Sequence, residues 1–129
     1  VWYRVIIFLC YTIFMENLKI KIEKHKEIYT FSYDFGAFSL IKWNDSGVVS
    51  LHDFSVKEKR KGYGTKLFKH VLIECEERSF DKLEIISENT EEAIAFWTKT
   101  VNNDFSKNPV FIMKFNKIGF FQKIKNKLW

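Results

Sequence analysis

A short basic segment with two glycines is the part of this sequence best suited to a chemical role. Its residues are Lys59, Arg60, Lys61, Gly62, Tyr63, Gly64 and Thr65. Glycine lets a backbone turn tightly and approach a ligand closely. The first N–H groups of a helix have no partner within the helix, and they attract anions. A basic glycine turn that leads into a helix therefore predicts a pyrophosphate-binding site.

Two other phosphate-binding motifs do not fit this segment. The Walker A motif requires G-x-x-x-x-G-K-[ST], and the spacing of Gly62 and Gly64 does not meet it. The Rossmann fingerprint G-x-G-x-x-G is met only at its first two glycines, because Leu67 occupies the third position. Taken alone, the segment is equally compatible with a solvated basic turn.

Few side chains are candidates for proton transfer. His52 lies in a predicted strand, where strict alternation places it on the same face as Phe54 and Val56. Histidine changes protonation near neutral pH, so His52 is the first candidate for a general base. A strand histidine without a catalytic role is the alternative. Glu84 is a weaker candidate, and His70 is expected to face solvent.

The elements that position these residues begin with an antiparallel meander. Leu18, Ile20 and Ile22 alternate with charged residues, which is typical of a strand. Turn-forming residues, including His25-Lys26 and the run from Asn44 to Gly47, separate the strands that follow. The predicted strands two to four cover residues 28–33, 38–43 and 48–56.

A helix and a parallel strand follow the basic segment. Apolar residues from Leu67 to Cys75 recur at helical spacing, and Asp81-Lys82 is expected to end the helix. Residues 83–86 form a short apolar strand. A strand, a helix and a strand at this spacing predict a right-handed crossover between parallel strands.

A second helix and a last strand complete the chain. The residues from Asn89 to Glu92 predict a helix start, with a capping side chain and two acids in the first turn. The apolar stripe of this helix runs to Val101, and residues 110–115 form the last strand. The fold class is therefore mixed α/β.

The composition excludes several classes of protein. With 129 residues, the chain has room for one domain, and its 47% hydrophobic and 29% charged residues exclude a disordered protein. A net charge of +5 suits an anionic ligand, but it does not by itself indicate nucleic acid. Two cysteines and three histidines without metal-ligand spacing predict neither a disulfide framework nor a metal site. They favour a reducing compartment, the cytoplasm.

Residues 1–14 are almost wholly apolar, with Arg4 their one charged residue. The uninterrupted apolar run is too short to span a bilayer, which requires about 20 residues. We interpret this segment as an extension ahead of a natural start at Met15. The alternative is the remnant of a membrane anchor, which would give the protein a membrane contact.

The stretch from Val48 to Val101 resembles the GCN5-related N-acetyltransferase (GNAT) family, whose members are acetyl-CoA-dependent. That family carries a strand, the loop [QR]-x-x-G-x-[GA], a helix, a splayed parallel strand and a second helix. The loop of this chain reads Lys59-x-x-Gly62-x-Gly64. The resemblance implies one GNAT-like domain over residues 15–129, with antiparallel N-terminal strands before a β-α-β crossover with a splayed parallel pair.

The resemblance also implies roles for particular residues. Backbone amides from Lys59 to Thr65 would hold the pyrophosphate of coenzyme A. The backbone of Phe54 and Val56 would pair with the pantetheine arm, and Asn89 would bond the pantetheine or the substrate. A backbone N–H at a bulge near the end of the fourth strand would polarise the thioester carbonyl, which is oxyanion-type stabilisation.

Four features depart from the family pattern. Lys59 replaces the preferred glutamine or arginine, and Trp97 replaces a tyrosine that many members use to protonate the leaving thiolate. Asn89 lies one residue further from Ala93 than is usual. The family's two helices between the first two strands are replaced by a turn. This shortening predicts an open acceptor site, or one that a second copy of the chain completes.

The sequence thus predicts an N-acetyltransferase that moves an acetyl group from acetyl-CoA to a primary amine of an unidentified acceptor, without a metal. One alternative is a descendant of the family that binds coenzyme A or a partner without turnover. A small basic nucleic-acid-binding protein is a further alternative, although no nucleic-acid motif is present.

Overall fold

The computed structural model of the protein describes residues 17–44 and 46–115. Within them, six strands form one sheet whose strand order follows the chain, and two helices complete the domain. The strands are β1 (Leu18–Glu23), β2 (Lys26–Tyr33), β3 (Gly36–Trp43), β4 (Val48–Val56), β5 (Lys82–Ile86) and β6 (Val110–Lys114). The helices are α1 (Tyr63–Glu77) and α2 (Glu91–Val101). The interpretations of residues 1–14 concern a segment outside the described residues.

The pairing of the strands confirms the predicted mixed fold. Strands β1 to β4 form the antiparallel meander, and β5 pairs with β6 in the antiparallel sense. Strand β4 pairs with β5 in parallel, and α1 makes the connection between them. A short hairpin turn can join only antiparallel strands. Parallel strands need a longer crossover connection, which α1 provides here.

Both helices pack on one face of the sheet. Phe68 and neighbouring apolar residues of α1 are buried, and the Trp97 ring of α2 lies 5.3 Å from the Phe68 ring, centroid to centroid. Trp97 also contacts Phe54 of β4 and Phe105, which in turn meets Phe111 of β6. This face therefore holds the hydrophobic core.

Cys75 belongs to that core. Burial raises the pKa of its thiol far above the ordinary range, so the sulfur is an inert apolar group. The sequence interpretation of Cys75 as a small apolar helix residue agrees with this placement.

No helix of the described residues packs on the opposite face of the sheet. A two-residue turn joins β1 to β2, as the sequence indicated. Three large apolar side chains of this face are about half exposed: Trp43 at 48%, Ile86 at 48% and Ile112 at 45%. We call this surface the uncovered face, and it is defined by the side chains of β2 to β6 that point away from α1 and α2.

The end of α1 differs from the prediction. The helix ends at Glu77, whereas Asp81-Lys82 was the expected end, and Lys82 instead begins β5. Ser79 adopts a left-handed φ of 57°, and Phe80 donates its N–H to the Cys75 carbonyl at 3.1 Å. This is a Schellman motif, in which the buried Phe80 supplies the apolar contact that stops the helix.

Candidate functional site

Strands β4 and β5 separate partway along their length. They pair from Val48 to Ser50 against Lys82 to Glu84, and not beyond. Strand β4 then continues to Val56 while β5 ends at Ile86. The second half of β4 thus presents an edge without a β5 partner, where an extended ligand can add as a strand would. We call the space between the separating strands the gap.

A bulge interrupts β4 at the gap. The register against β3 shifts between Ala37 and Ser39, and Asp53 of β4 has a left-handed φ of 52°. One extra residue on β4 changes the alternation of its side chains. The structure therefore contains the bulge that the family resemblance implied near the end of the fourth strand.

This bulge corrects the expected face of His52. His52 pairs with Ser39, whereas Phe54 packs against Phe96 and Trp97 on the helix face. Strict alternation would have placed His52 beside Phe54 and Val56. Because of the extra residue, His52 lies on the uncovered face, and the two apolar side chains lie on the helix face.

The basic segment leads into the N-terminus of α1, as predicted. Gly62 precedes the helix with a left-handed φ of 74°, and no side-chain hydrogen bond caps this end. The amides of Tyr63, Gly64 and Thr65 occupy the first turn, where N–H groups lack partners within the helix. Positive charge surrounds them, since Lys59, Arg60 and Lys61 are exposed in the approach. This helix end is suited to bind an anion.

The N-terminus of α2 is built differently. The Thr90 hydroxyl accepts a hydrogen bond from the Ala93 N–H at 3.1 Å, and Glu91 and Glu92 stand in the first turn. This end is already capped, and its carboxylates oppose an anion. Asn89 lies exposed just before the cap. Of the two helix N-termini, that of α1 is the one available to a phosphate group.

An ion pair joins the basic segment to α2. The Lys59 Nζ lies 3.1 Å from the Glu92 carboxylate, and both side chains are well exposed. The pair places the start of the segment against the first turn of α2, while the amides of the segment's end belong to α1. Lys59 is therefore the basic residue of the segment with a carboxylate neighbour in the structure.

Three aromatic rings, those of Phe54, Phe96 and Trp97, pack together beside this helix end. Phe54 lies 5.9 Å from Phe96 and 5.0 Å from Trp97, centroid to centroid. A methyl group at Gly64 would approach the Phe96 ring to 2.7 Å. Trp97 is 6% exposed and contacts several rings, so it packs in the core at the position where the resemblance leads one to expect a tyrosine.

Gly64→Ala is expected to destabilise the protein by about 1 kcal/mol. Overpacking costs roughly 1–3 kcal/mol, against a helix-propensity gain of up to about 1 kcal/mol. The measurement is chemical denaturation of the single variant and of the same change in a Phe96→Leu background. The smaller side chain should remove the penalty. A Gly64→Ala protein as stable as the parent would show that the Phe96 contact is not tight.

A polar group lies on the uncovered face beside the gap. The Ser50 hydroxyl donates to the Glu84 Oε1 at 3.0 Å across the last paired position of β4 and β5. His52 follows two residues later on β4 and shares this face. The sequence analysis predicted roles for His52 and Glu84 separately and none for Ser50. The hydrogen bond between Ser50 and Glu84 joins residues 34 positions apart, so local patterns do not reveal it.

The third histidine lies elsewhere. The sequence placed His70 in solvent, but its ring lies tilted against two aromatic rings, with centroid distances of 4.6 Å to Tyr33 and 5.7 Å to Phe35. Burial, with a smaller contribution from Lys66, lowers the pKa of His70. The imidazole is therefore a partly buried group on α1, and the expectation of solvent exposure is met only in part.

Residues 17–44 and 46–115 contain neither a cluster of metal ligands nor a membrane-spanning helix. No three His, Cys, Asp or Glu side chains there converge as metal ligands would. None of the helices in these residues is both long enough and apolar enough to cross a membrane.

Comparison with known proteins identifies one family. The sequence model described as the Acetyltransferase (GNAT) family matches residues 15–102, which is more than half of the chain. No curated protein matches the sequence. Among solved structures, an acetyltransferase of Bacillus subtilis in complex with CoA is similar, with a TM-score of 0.47 and 17% sequence identity. The similarity covers 64% of this chain and 73% of that one.

Proposed function

Because this chain belongs to the GNAT acetyltransferase family, we propose that it transfers an acetyl group from acetyl-CoA to a primary amine. One observation carries the proposal: the uncapped, basic N-terminus of α1 lies beside the unpaired edge of β4. The first feature suits the pyrophosphate, and the second suits the extended pantetheine arm. Phe54 and Phe96 connect the two, since Phe96 contacts both Phe54 and Gly64.

The donor is held mainly by backbone groups. The amides from Lys59 to Thr65 bind the pyrophosphate, and the side chains of Arg60 and Lys61 add positive charge. The backbone of Phe54 and Val56 pairs with the pantetheine arm along the β4 edge. Lys59 keeps the positive charge of the family's loop position, although it lacks the forked geometry of arginine. Asn89 is the proposed polar contact before α2.

The reaction needs one proton acceptor and one oxyanion donor. His52 takes a proton from the ammonium, and the neutral amine nitrogen attacks the thioester carbonyl carbon. A backbone N–H at the β4 bulge, near Asp53, stabilises the oxygen while it carries negative charge. The carbonyl then re-forms as the C–S bond breaks, and the second proton, which the attacking nitrogen still carries, passes to the departing thiolate, so that coenzyme A leaves as the thiol.

The buried Trp97 does not supply an acid for this thiolate, since an indole N–H is not acidic in water. A thiol pKa of about 8.5, by analogy with cysteine, allows departure without full proton transfer. Turnover is therefore expected to be slower than with a tyrosine at the site. The products are an N-acetyl amine and coenzyme A.

The test is a transfer assay with acetyl-CoA and a panel of amines. The panel contains 1,5-diaminopentane, spermidine, a lysine peptide and a peptide with a free amino terminus. We expect thiol release that depends on the amine, with an equal amount of acetylated product by mass spectrometry. No product with any acceptor, from a protein that binds acetyl-CoA, would contradict the proposal.

A second candidate function is binding of coenzyme A without turnover. The packing of Trp97 in the core favours it, because the position carries no acid. The two functions differ in one result. The binding protein would retain affinity for acetyl-CoA in calorimetry and give no acetylated product in the same assay.

A further inference from the structure

We propose that Glu84 binds the ammonium group of the acceptor, and that the acceptor is an aliphatic primary amine. The inference rests on the proposed function and adds to it the chemical class of the acceptor. Glu84 lies at the last paired position before β4 and β5 separate. A carboxylate at this point stands at the narrow end of the gap.

The gap connects the two faces of the sheet. The proposed donor site lies on the helix face, where Phe54, Phe96 and Gly64 are in contact. Glu84 lies on the other face, since its neighbours in sequence, Leu83 and Ile85, are both buried in the core. In a ternary complex the amine then enters from the uncovered face and meets the thioester through the gap.

The Glu84 carboxylate is held in place. Ser50, which is 7% exposed, donates its hydroxyl to the Glu84 Oε1 at 3.0 Å. A buried hydroxyl has few alternative partners, so this bond restricts the rotamers of the glutamate. A positioned carboxylate binds an ammonium with less loss of conformational freedom than a mobile one.

Two isoleucines lie next to Glu84 on the uncovered face. Ile112 of β6 is its register partner, and Ile86 follows two residues later on the same face of β5. They are 45% and 48% exposed, so both offer free apolar surface. A methylene chain can pack on these isoleucines while its ammonium pairs with the carboxylate. A flat aromatic amine or a polyhydroxylated amine fits this surface less well.

The lysines on this face of β2 to β6 lie to one side of Glu84, and they are Lys26, Lys82 and Lys114. Lys82 and Lys114 pair with each other at the start of β5, on the far side of Glu84 from the gap. They repel a second ammonium in that direction. His52 lies on the gap side, two residues beyond Ser50, where it can receive the proton. This arrangement of charges favours an acceptor whose methylene chain extends along the gap side of Glu84.

The test compares Glu84→Gln with Glu88→Gln, an exposed glutamate just beyond β5 that serves as the matched control. With 1,5-diaminopentane as acceptor, we expect Glu84→Gln to raise the amine KM about tenfold or more, because it removes a charge-assisted contact. The affinity for acetyl-CoA should stay within about twofold of the parent, because Glu84 makes no charge-assisted contact with the donor. Ser50→Ala should raise the amine KM to a smaller extent, because the carboxylate remains but is less restricted. Benzylamine should show a smaller dependence on Glu84.

Two results would overturn the proposal: an unchanged amine KM in an active Glu84→Gln protein, or equal effects of the Glu84 and Glu88 changes. If the parent acetylates nothing, the proposed function fails, and amide NMR then decides this inference alone. Addition of 1,5-diaminopentane to the CoA-saturated parent should shift the Glu84 and Ser50 amides. Unmoved amides there would overturn it.

Discussion

Gly62→Asp should weaken acetyl-CoA binding by more than about tenfold relative to Gly62→Asn. Each charge-assisted hydrogen bond from the α1 amides is worth roughly 1.5–3 kcal/mol, and tenfold corresponds to about 1.4 kcal/mol. A carboxylate at residue 62 places negative charge where the pyrophosphate must lie. Calorimetric titration of both variants with acetyl-CoA measures the difference.

The two variants form a matched pair. A side chain at Gly62 meets no atom within 4 Å, and asparagine and aspartate both tolerate its φ of 74°. Both also place a side-chain oxygen where it can cap α1, so the comparison isolates the charge. Thermal melts confirm that both are folded. Equal affinities for acetyl-CoA in two folded variants would show that the pyrophosphate does not bind at α1.

His52→Gln should lower the turnover number by about 10²–10⁴-fold, the usual contribution of a general base. The variant keeps a side chain that can hydrogen-bond, but it loses the group that takes the proton. Its affinity for acetyl-CoA should be unchanged, since His52 lies on the face of β4 opposite the donor contacts. Single-turnover acetyl transfer, with acetyl-CoA affinity measured separately, tests both statements.

The matched control is His25→Gln in the turn between β1 and β2, which lies outside the proposed site. It should leave turnover within about threefold of the parent, as surface changes away from a site do. A decrease at His52 as small as that at His25 would make His52 a strand residue without a catalytic role.

The fold was predictable to the extent that its signals are local. Alternating residues defined β1 and turn residues delimited β4, both with the bounds that the structure shows, and the strand–helix–strand order required the parallel pair. The end of α1 was not predictable in this way. Ser79 takes a left-handed conformation usually left to glycine, and it does so because Phe80 becomes buried, which is a tertiary effect.

In the candidate site, too, local features could be predicted and contacts between distant residues could not. The basic segment was found because its glycines and charges are contiguous in sequence. The face of His52 was predicted wrongly, because the bulge depends on how β4 pairs with β3 and leaves no glycine as a mark. The partnership of Ser50 with Glu84 and the contact of Gly64 with Phe96 also join distant residues. Periodicity within one element gives no information about such contacts.

Backbone N–H groups at the start of α1 are proposed to hold the pyrophosphate beside the β4 edge, and an amide NMR titration of the parent protein with coenzyme A measures this. We predict that the largest shifts fall on Gly62, Tyr63, Gly64 and Thr65, followed by Phe54 and Val56. Saturation with coenzyme A that leaves these amides unmoved, while others such as Glu91 and Glu92 respond, would show that the pyrophosphate binds elsewhere.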